Sequence, residues 1–203
     1  MKTAQSGCPA PDRKRLSAVL LDDRARHLLG CLQSGPSSPS DLAVSLAATE
    51  RGCTPSAVPP AVKRRYQQQL HHDFLPRLEA ADLIERTANG LAKLDPVRIE
   101  SFDVTFPDFD EPEDPSWTAA AVVLARPYRY RILSLLTEAE GQVSLSALAA
   151  DLAHAEPDVT ATPRSLSISL HHVDLPKLAE VGLVTYDHEA RTVAATPAAR
   201  ALL

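Results

Sequence analysis

The sequence predicts a mainly helical α+β chain made of two tandem copies of one small domain, each ending in a β-hairpin. An internal repeat predicts the duplication: residues 70–86 read LHHDFLPRLEAADLIER, residues 170–186 read LHHVDLPKLAEVGLVTY, and 7 of these 17 aligned positions are identical. Helical apolar spacing precedes each copy, and a short apolar pair with a turn signal ends it. Two copies of this length indicate tandem domains rather than a solenoid.

The composition suits one large domain or two small ones. Of the 203 residues, 44% are hydrophobic but only 4% are aromatic, so Ala and Leu fill the predicted cores. Such cores favour thin helical packing over a deep cavity, and we predict no cofactor. No apolar run reaches the roughly 18 residues of a membrane span, and no signal-peptide core is present. We therefore expect a cytoplasmic protein with no membrane partner.

Charge and proline content divide the chain into four segments. Residues 1–12 contain Pro, Ser and Gly and are predicted to be disordered. Residues 100–116 hold seven acidic residues, three prolines and no Lys or Arg, which predicts an extended linker. The first domain is therefore predicted at residues 13–99, where basic residues outnumber acidic ones, and the second at residues 117–203, where they do not.

Each domain is predicted to open with one amphipathic helical stripe. Its leucines recur at helical spacing in the first half, and apolar residues recur in the same register at an offset of 104 in the second: Leu20, Leu21, Leu28, Leu29 and Leu32, then Leu124, Ile132, Leu133 and Leu136. A turn containing glycine and a short second helix follow, for which Ser40 and Ser146 are predicted as the N-caps.

The third predicted helix is the longest and carries the repeated segment. It begins near Pro60 in the first copy. In the second it begins at Thr162 and Pro163, an N-cap followed by proline at the first helical position. Pro76 and Pro176 lie where the apolar spacing is still helical, so we expect a kink or a break followed by one more helical turn.

A β-hairpin is predicted to end each domain. Asn89-Gly90 is a strong signal for a two-residue turn in the first copy. In the second copy the turn is expected around residues 187–189, with Val193 on the return strand. Three helices followed by a hairpin is the element order of a winged helix-turn-helix domain, so the sequence predicts two such domains in tandem.

The start of the third predicted helix and the repeated LHH segment resemble motifs of a winged-helix-like domain family of unassigned function found in halophilic archaea. The family's basic helix start and HLPKL-type motif match Lys63-Arg64-Arg65-Tyr66 and residues 70–78 in the first copy. Residues 170–172 and 175–178 match in the second copy, where the helix start, residues 163–167, carries a single charge. The resemblance covers most of both halves but not the linker, and it implies a transcriptional regulator.

The expected partner is double-stranded DNA. A helix-turn-helix lays its second helix in the major groove and its wing beside the backbone, so that helix needs polar groups for base edges and cations for phosphates. We therefore predict a transcriptional regulator. The predicted DNA contacts are Lys63, Arg64, Arg65, Gln67, Gln68, His71, His72, Arg86 and Lys93 in the first copy, and Arg164, Ser167, His171 and His172 in the second.

Histidine and cysteine residues raise the question of a metal site. Adjacent residues on a helix point about 100° apart, so one His-His pair does not easily chelate one ion. We expect one histidine of each pair to pack or to join a hydrogen-bond network, and the other to face solvent or DNA. Cys8, Cys31 and Cys53 show no CxxC spacing, and Cys31 is predicted to be a small core residue. We predict no metal site.

Other function classes have less support. The sequence lacks a Gly-rich phosphate loop, a nucleophile elbow and HExxH, so we predict no enzyme and no catalytic residues. The competing interpretation is a protein-interaction or dimerisation module of the same fold, with a possible homodimer. The formal net charge of −5 and the weakly charged second copy favour it.

If both domains bind DNA, half-sites about 34 Å apart, or a multiple of that distance, are expected.

Overall fold

The computed structural model describes residues 13–95, 104–107, 111, 113–139, 141–155 and 162–203. This part of the chain is mostly helical and has two small antiparallel sheets, as predicted. The predicted disordered segment, residues 1–12, lies outside the described residues. Among the described residues, no helix is both long enough and apolar enough to cross a membrane.

The same order of elements occurs twice. The first repeat consists of α1 (Arg13–Leu20), α2 (Asp23–Gln33), α3 (Pro39–Arg51), a 3-10 turn (Pro55–Ala57), α4 (Pro60–Gln69), α5 (Leu75–Ala80), β1 (Ile84–Arg86) and β2 (Ala92–Leu94). The second repeat consists of α6 (Pro115–Leu124), α7 (Pro127–Glu138), β3 (Val143–Ser144), α8 (Leu145–Ala155), α9 (Pro163–Ser169), α10 (Leu175–Glu180), β4 (Val184–Asp187), β5 (Thr192–Ala195) and α11 (Pro197–Leu202).

The helical stripe predicted at the start of each half is divided between two helices. In the first half, the Asp22 side chain caps α2 by accepting a hydrogen bond from the backbone N–H of Arg24 (3.1 Å). Leu21 lies at the break and is 49% exposed, so it does not belong to the buried stripe. In the second half the break precedes Pro127, which disfavours helical geometry in the residue before it.

Helices α1 and α6 pack against each other and join the two repeats into one core. Leu16, Val19 and Leu20 of α1 are buried, as are Trp117 and Val123 of α6. Each such side chain contributes about 1.5–3 kcal/mol when it leaves water. Each helix also contacts α5 or α10, the helix that follows the π turn of its own repeat (Leu70–Phe74 or Leu170–Asp174). Equivalent elements thus meet each other, as in the two-fold contact of a homodimer.

The acidic segment packs on the second repeat where the structure describes it, rather than extending freely. Val104 is buried, and the backbone N–H of Thr105 donates to the carbonyl oxygen of Leu202 (2.8 Å). Helix α6 begins at Pro115, with the Asp114 carboxylate as its N-cap. The last two residues of the predicted linker are therefore helical, since proline is well tolerated at the first helical position.

A π turn takes the place of the break predicted at the two prolines. The backbone N–H of Leu75 donates to the carbonyl oxygen of Leu70, five residues earlier, and the equivalent bond recurs in the second repeat. Pro76 and Pro176 have no N–H to donate, and the wider turn accommodates them. The chain therefore stays helical from α4 to α5 and from α9 to α10. Of the predicted kink or break, the break is wrong, and the further helical turn predicted at each proline is present.

The hairpins lie where they were predicted, with one difference in length. In the first repeat, Gly90 has a positive φ of 72° and its N–H donates to the carbonyl oxygen of Thr87 (2.9 Å). The backbone N–H of Thr87 donates to the carbonyl oxygen of Leu91 (2.8 Å), so the loop proper has three residues, 88–90, rather than two. Three-residue loops with glycine in the left-handed position are a common class. In the second repeat, Asp187 pairs with Thr192, and β3 adds a third strand at β5.

The predicted N-caps of the second helix are wrong by two residues in both repeats. The Ser38 side chain accepts a hydrogen bond from the N–H of Asp41 (3.1 Å), and the Ser144 side chain accepts one from the N–H of Ala147 (3.2 Å). Ser40 lies inside α3 and Ser146 inside α8. The earlier serines win because each is extended backbone directly before a helical residue, the geometry that a cap requires.

Candidate nucleic-acid interface

Helix α4 lies on the surface of the first repeat and contains no buried residue. Its first two turns carry Lys63, Arg64 and Arg65, of which Arg64 and Arg65 are exposed and Lys63 is half-buried. Within the described part of the chain, none of these three cations has a carboxylate at ion-pair distance. The helix therefore presents an uncompensated positive charge next to its own N-terminal N–H groups, an arrangement that favours anions.

Polar side chains continue along the same helix toward the π turn. Gln68 is exposed and Gln67 is half-buried, so both amide groups lie at the surface. His71 and His72 are both exposed, with ring centroids 5.1 Å apart. The expectation that one histidine of each pair packs is thus wrong for the first repeat. Amide and imidazole groups both donate and accept hydrogen bonds, as base edges require.

The two predicted contacts on the first hairpin are neutralised by carboxylates. Arg86 forms an ion pair with Glu79 of α5, and Lys93 lies 3.4 Å from the carboxylate of Glu85 on the paired strand. These cations are exposed, so their ion pairs are weak and can be exchanged for other anions. They form a secondary part of the positive surface.

A hydrogen bond that the sequence did not reveal holds α4 in place. The Tyr66 hydroxyl donates to the Glu50 carboxylate of α3 (2.7 Å), and Arg24 of α2 forms an ion pair with the same carboxylate (2.7 Å). The bond to Glu50 raises the pKa of Tyr66, so the hydroxyl remains a donor. Three helices of the first repeat are linked through one carboxylate.

Helix α9 of the second repeat presents a different surface. Its predicted contacts are Arg164, which is exposed and has no ion-pair partner among the described residues, and Ser167, which is half-buried. Ile168 is 57% exposed at the position that Gln68 occupies in the first repeat. The second surface therefore has one cation and an apolar side chain where the first has three cations and an amide.

The second pair of histidines joins a cluster of rings on the hairpin. His171 forms a hydrogen bond with the Tyr186 hydroxyl, while His172 is exposed, as predicted for this repeat. His188 lies with its ring centroid 4.5 Å from that of Tyr186 and 5.5 Å from that of His171. Burial lowers the pKa of His171, and the neighbouring His172 and Arg191 act in the same direction.

A buried ion pair supports α9 from below. Asp174 is fully buried in the π turn and accepts hydrogen bonds from Arg129 Nε (3.0 Å), the Tyr128 hydroxyl (3.0 Å) and the Ser169 hydroxyl (2.9 Å). Arg129 also donates to the carbonyl oxygen of Val122 in α6 (2.8 Å). The network connects α6, α7, α9 and the π turn, and the sequence did not predict it.

A polar cluster lies between α2 and α3 of the first repeat. Cys31 Sγ is 3.6 Å from His27 Nε2 and 3.2 Å from Ser45 Oγ. Cys31 was predicted to be a small core residue; it touches the core but is half-buried and hydrogen-bonded. The i,i+4 spacing of His27 and Cys31 on one helix is the sequence signal that could have found this cluster.

The described residues contain no group of three or more His, Cys, Asp and Glu side chains arranged to hold a metal ion. Cys31 and Cys53 are free thiols, and Cys8 lies outside the described residues.

Comparison with known proteins identifies the repeat. A family model described as "Domain of unknown function (DUF7344)" matches residues 17–90 and matches residues 122–194 as well. Each match begins in one of the two helices of the α1–α6 contact and ends in a hairpin, so the two matched segments correspond to the two structural repeats. Neither the curated proteins nor the solved structures gave a match to the chain.

Proposed function

Since the chain belongs to the DUF7344 family and carries its domain twice, we propose that it is a DNA-binding transcriptional regulator built from two winged helix-turn-helix domains. In this proposal α3 and α4 form the helix-turn-helix of the first repeat, and β1 and β2 form its wing. Helices α8 and α9 with β4 and β5 are the counterparts in the second repeat. The element order supports this assignment, because each hairpin follows the continuous helical segment that begins with the surface helix.

The observation that carries the proposal is the unpaired cationic run on α4. Lys63, Arg64 and Arg65 occupy the first turns of a helix without buried residues, while other arginines of the repeat, such as Arg24 and Arg77, are paired with carboxylates. The protein has a net charge of −5, yet these three cations have no carboxylate partner among the described residues, so one helix carries a local surface suited to a polyanion.

The two repeats have unequal roles in this proposal. The first supplies most of the attraction to phosphates through Lys63, Arg64 and Arg65, and Gln67 and Gln68 are the side chains that can reach base edges. The second repeat, with Arg164, contributes less charge. Because the α1–α6 contact joins equivalent elements, one chain presents two domains where simpler regulators use a homodimer.

The test is duplex DNA binding measured against salt concentration by fluorescence anisotropy, using wild type and Arg64→Ala/Arg65→Ala. The logarithm of the binding constant falls with the logarithm of salt concentration by about 0.9 per neutralised phosphate, so the double variant should have a slope shallower by about two. The matched control, Arg13→Ala/Lys14→Ala, removes the same charge from α1 and should leave the slope near that of wild type.

Two results would count against DNA binding through α4. One is the absence of binding to both random and upstream genomic duplexes throughout the salt range. The other is an equal loss of slope in the α4 variant and the α1 control, because a non-local charge effect would then explain the binding. Circular dichroism of each variant shows whether its helices are intact.

The alternative proposal is a protein-interaction module, and the exposed apolar side chains of the second repeat favour it. Ile168 is 57% exposed and Val173 is 42% exposed, on α9 and the π turn that follows it. Exposed apolar groups on one face mark interaction sites when they are contiguous. Sedimentation of the wild-type chain and of Ile168→Ser/Val173→Ser tests self-association. A dimer that forms in the wild type and not in the variant supports an interaction module that dimerises. Monomers in both cases exclude dimerisation through this face.

A further inference from the structure

We propose that Cys31 is a reactive thiol and a site of mixed-disulfide formation with low-molecular-weight disulfides, activated by His27 and Ser45. The proposed site lies between α2 and α3 of the first repeat and not on the surface helix α4. Its chemistry does not depend on DNA binding, but its effect on α4 rests on the proposed function.

The geometry is that of an activated thiol rather than of an isolated cysteine. Cys31 Sγ contacts both His27 Nε2 (3.6 Å) and Ser45 Oγ (3.2 Å), and these two partners lie 3.2 Å from each other. Thr49 Oγ1, on the same helix as Ser45, is 3.5 Å from His27 Nε2. Cys31 and His27 are half-buried, so a small reagent can reach the sulfur.

The electrostatics of the cluster favour the thiolate form of Cys31 more than an isolated cysteine would. Burial alone would raise the pKa of Cys31, but the hydrogen bonds from His27 and Ser45 and the positive charge of His27 outweigh it, and the pKa is lowered. The hydrogen bond to the thiol raises the pKa of His27, and the charge of Glu50 acts in the same direction. The thiolate is the nucleophilic form of cysteine, so this pairing increases its reactivity near neutral pH.

The reaction is a thiol–disulfide exchange. The Cys31 thiolate attacks one sulfur of a disulfide R–S–S–R. A new S–S bond forms in Cys31–S–S–R, the S–S bond of the reagent breaks, and the other half leaves as the thiolate R–S⁻, which takes a proton from water. Cys31 is oxidised and the departing half of the reagent is reduced, so no further oxidant is needed. His27 retains its proton and stabilises the attacking sulfur before the exchange.

Two comparisons inside the chain isolate the contribution of the cluster. Cys53 is also half-buried, but its thiol has no hydrogen-bond partner among the described side chains. In the second repeat the positions equivalent to His27 and Cys31, at the offset of 104 that aligns Leu28 with Ile132, are Arg131 and Leu135. The activated thiol therefore belongs to the first repeat alone.

Modification would disturb the support of α4. Thr49 contacts His27, and the next residue, Glu50, accepts the hydrogen bond from Tyr66 of α4. A group attached to Cys31 Sγ must find space between α2 and α3, because those helices pack closely around the cluster. If α4 binds DNA, the mixed disulfide should weaken that binding.

The first experiment measures the rate of alkylation by iodoacetamide against pH in two variants of the full chain. Cys8→Ser/Cys53→Ser retains only Cys31, and Cys8→Ser/Cys31→Ser retains only Cys53. We expect the Cys31 profile to have the lower midpoint, and His27→Gln in the Cys31-only chain to move that midpoint upward. Each unit of midpoint corresponds to about a tenfold change in the thiolate fraction at lower pH.

Overlapping profiles for the two cysteines would overturn the proposal, and so would a Cys31 profile that is unchanged by His27→Gln. Ser45→Ala provides a milder second variant, expected to shift the midpoint less, if His27→Gln loses helical structure by circular dichroism. Oxidised glutathione then serves as the disulfide probe. Intact mass should show one glutathionyl group on the Cys31-only chain and much less on the Cys53-only chain.

The DNA arm is read separately. Loss of duplex binding after glutathionylation, and its recovery with dithiothreitol, supports the link to α4. Efficient glutathionylation of a chain that binds DNA equally well in both states overturns that link while leaving the reactive thiol established. A chain that never binds DNA contradicts the proposed function, and the alkylation profiles still decide the chemistry of Cys31.

Discussion

The two surface helices, α4 and α9, are followed by equivalent buried leucines but carry different exposed side chains. Leu70, Leu75 and Leu78 are fully buried or nearly so, and the leucines one hundred residues later are equally buried. The exposed positions differ: in the alignment, Arg65 corresponds to Ser165 and Gln68 corresponds to Ile168. The buried positions preserve the fold of both copies, while the exposed ones are free to take different partners. Duplication of the domain therefore does not imply duplication of its function.

The support of the two surface helices also differs. Both repeats bury an arginine that donates to a carbonyl of the preceding helix: Arg26 to Leu20 (2.6 Å), and Arg129 to Val122 (2.8 Å). The carboxylate partner of Arg26 is Asp23, close in sequence, whereas that of Arg129 is Asp174 in the distant π turn. Phe74 occupies the corresponding place in the first repeat. Among the described residues, the buried ion pair between a π turn and the core is that of the second repeat.

The largest effect should come from removing that ion pair. Asp174→Ala leaves Arg129 buried without its carboxylate, so we expect the free energy of unfolding to fall by about 3–5 kcal/mol. Asp73→Ala is the control: Asp73 is exposed and lies 3.6 Å from Arg77, and exposed pairs are worth about 0–1 kcal/mol. Urea denaturation of both variants measures the difference. Similar losses in the two would mean that the buried pair contributes no more than a surface pair.

An intermediate effect should follow from giving the second surface helix the charge of the first. Ser165→Arg places an arginine at the position equivalent to Arg65, on an exposed turn of α9. If α9 lies against DNA, one more phosphate contact should steepen the salt dependence of binding by about 0.9. The reciprocal variant, Arg65→Ser, should make it shallower by the same amount. An unchanged slope in Ser165→Arg together with a loss in Arg65→Ser would assign DNA contact to the first repeat alone.

The sequence predicted the parts of the fold that depend on local patterns. The start of α4 at Pro60, the Thr162 cap of α9 and the turn of the second hairpin are confirmed, because each follows from one or two residues with strong preferences. The π turn was missed because a proline after a leucine reads as a break, and only the hydrogen bond from Leu75 to Leu70 shows how the helix continues.

The candidate site was predictable in part. Exposed cations on α4 follow from the Lys63-Arg64-Arg65 run, but the ion pairs that neutralise Arg86 and Lys93 depend on residues brought together by the fold. The Asp174 network joins residues that are up to 46 positions apart in the sequence. The Cys31 cluster joins two consecutive helices, α2 and α3. Such contacts leave no signal in hydrophobic spacing, which reports burial and not the partner.

The smallest effect tests the helix caps, where spacing alone chose the wrong serine in both repeats. Ser38→Ala and Ser144→Ala each remove a side-chain acceptor from a helix N-terminus and should lower the free energy of unfolding by about 1 kcal/mol. Ser40→Ala and Ser146→Ala are matched controls two residues later in the sequence. They should change the free energy of unfolding little, because alanine is favoured inside a helix. Thermal and urea unfolding of the four variants compares them. Larger losses at Ser40 and Ser146 than at Ser38 and Ser144 would move the helix starts two residues toward the C-terminus.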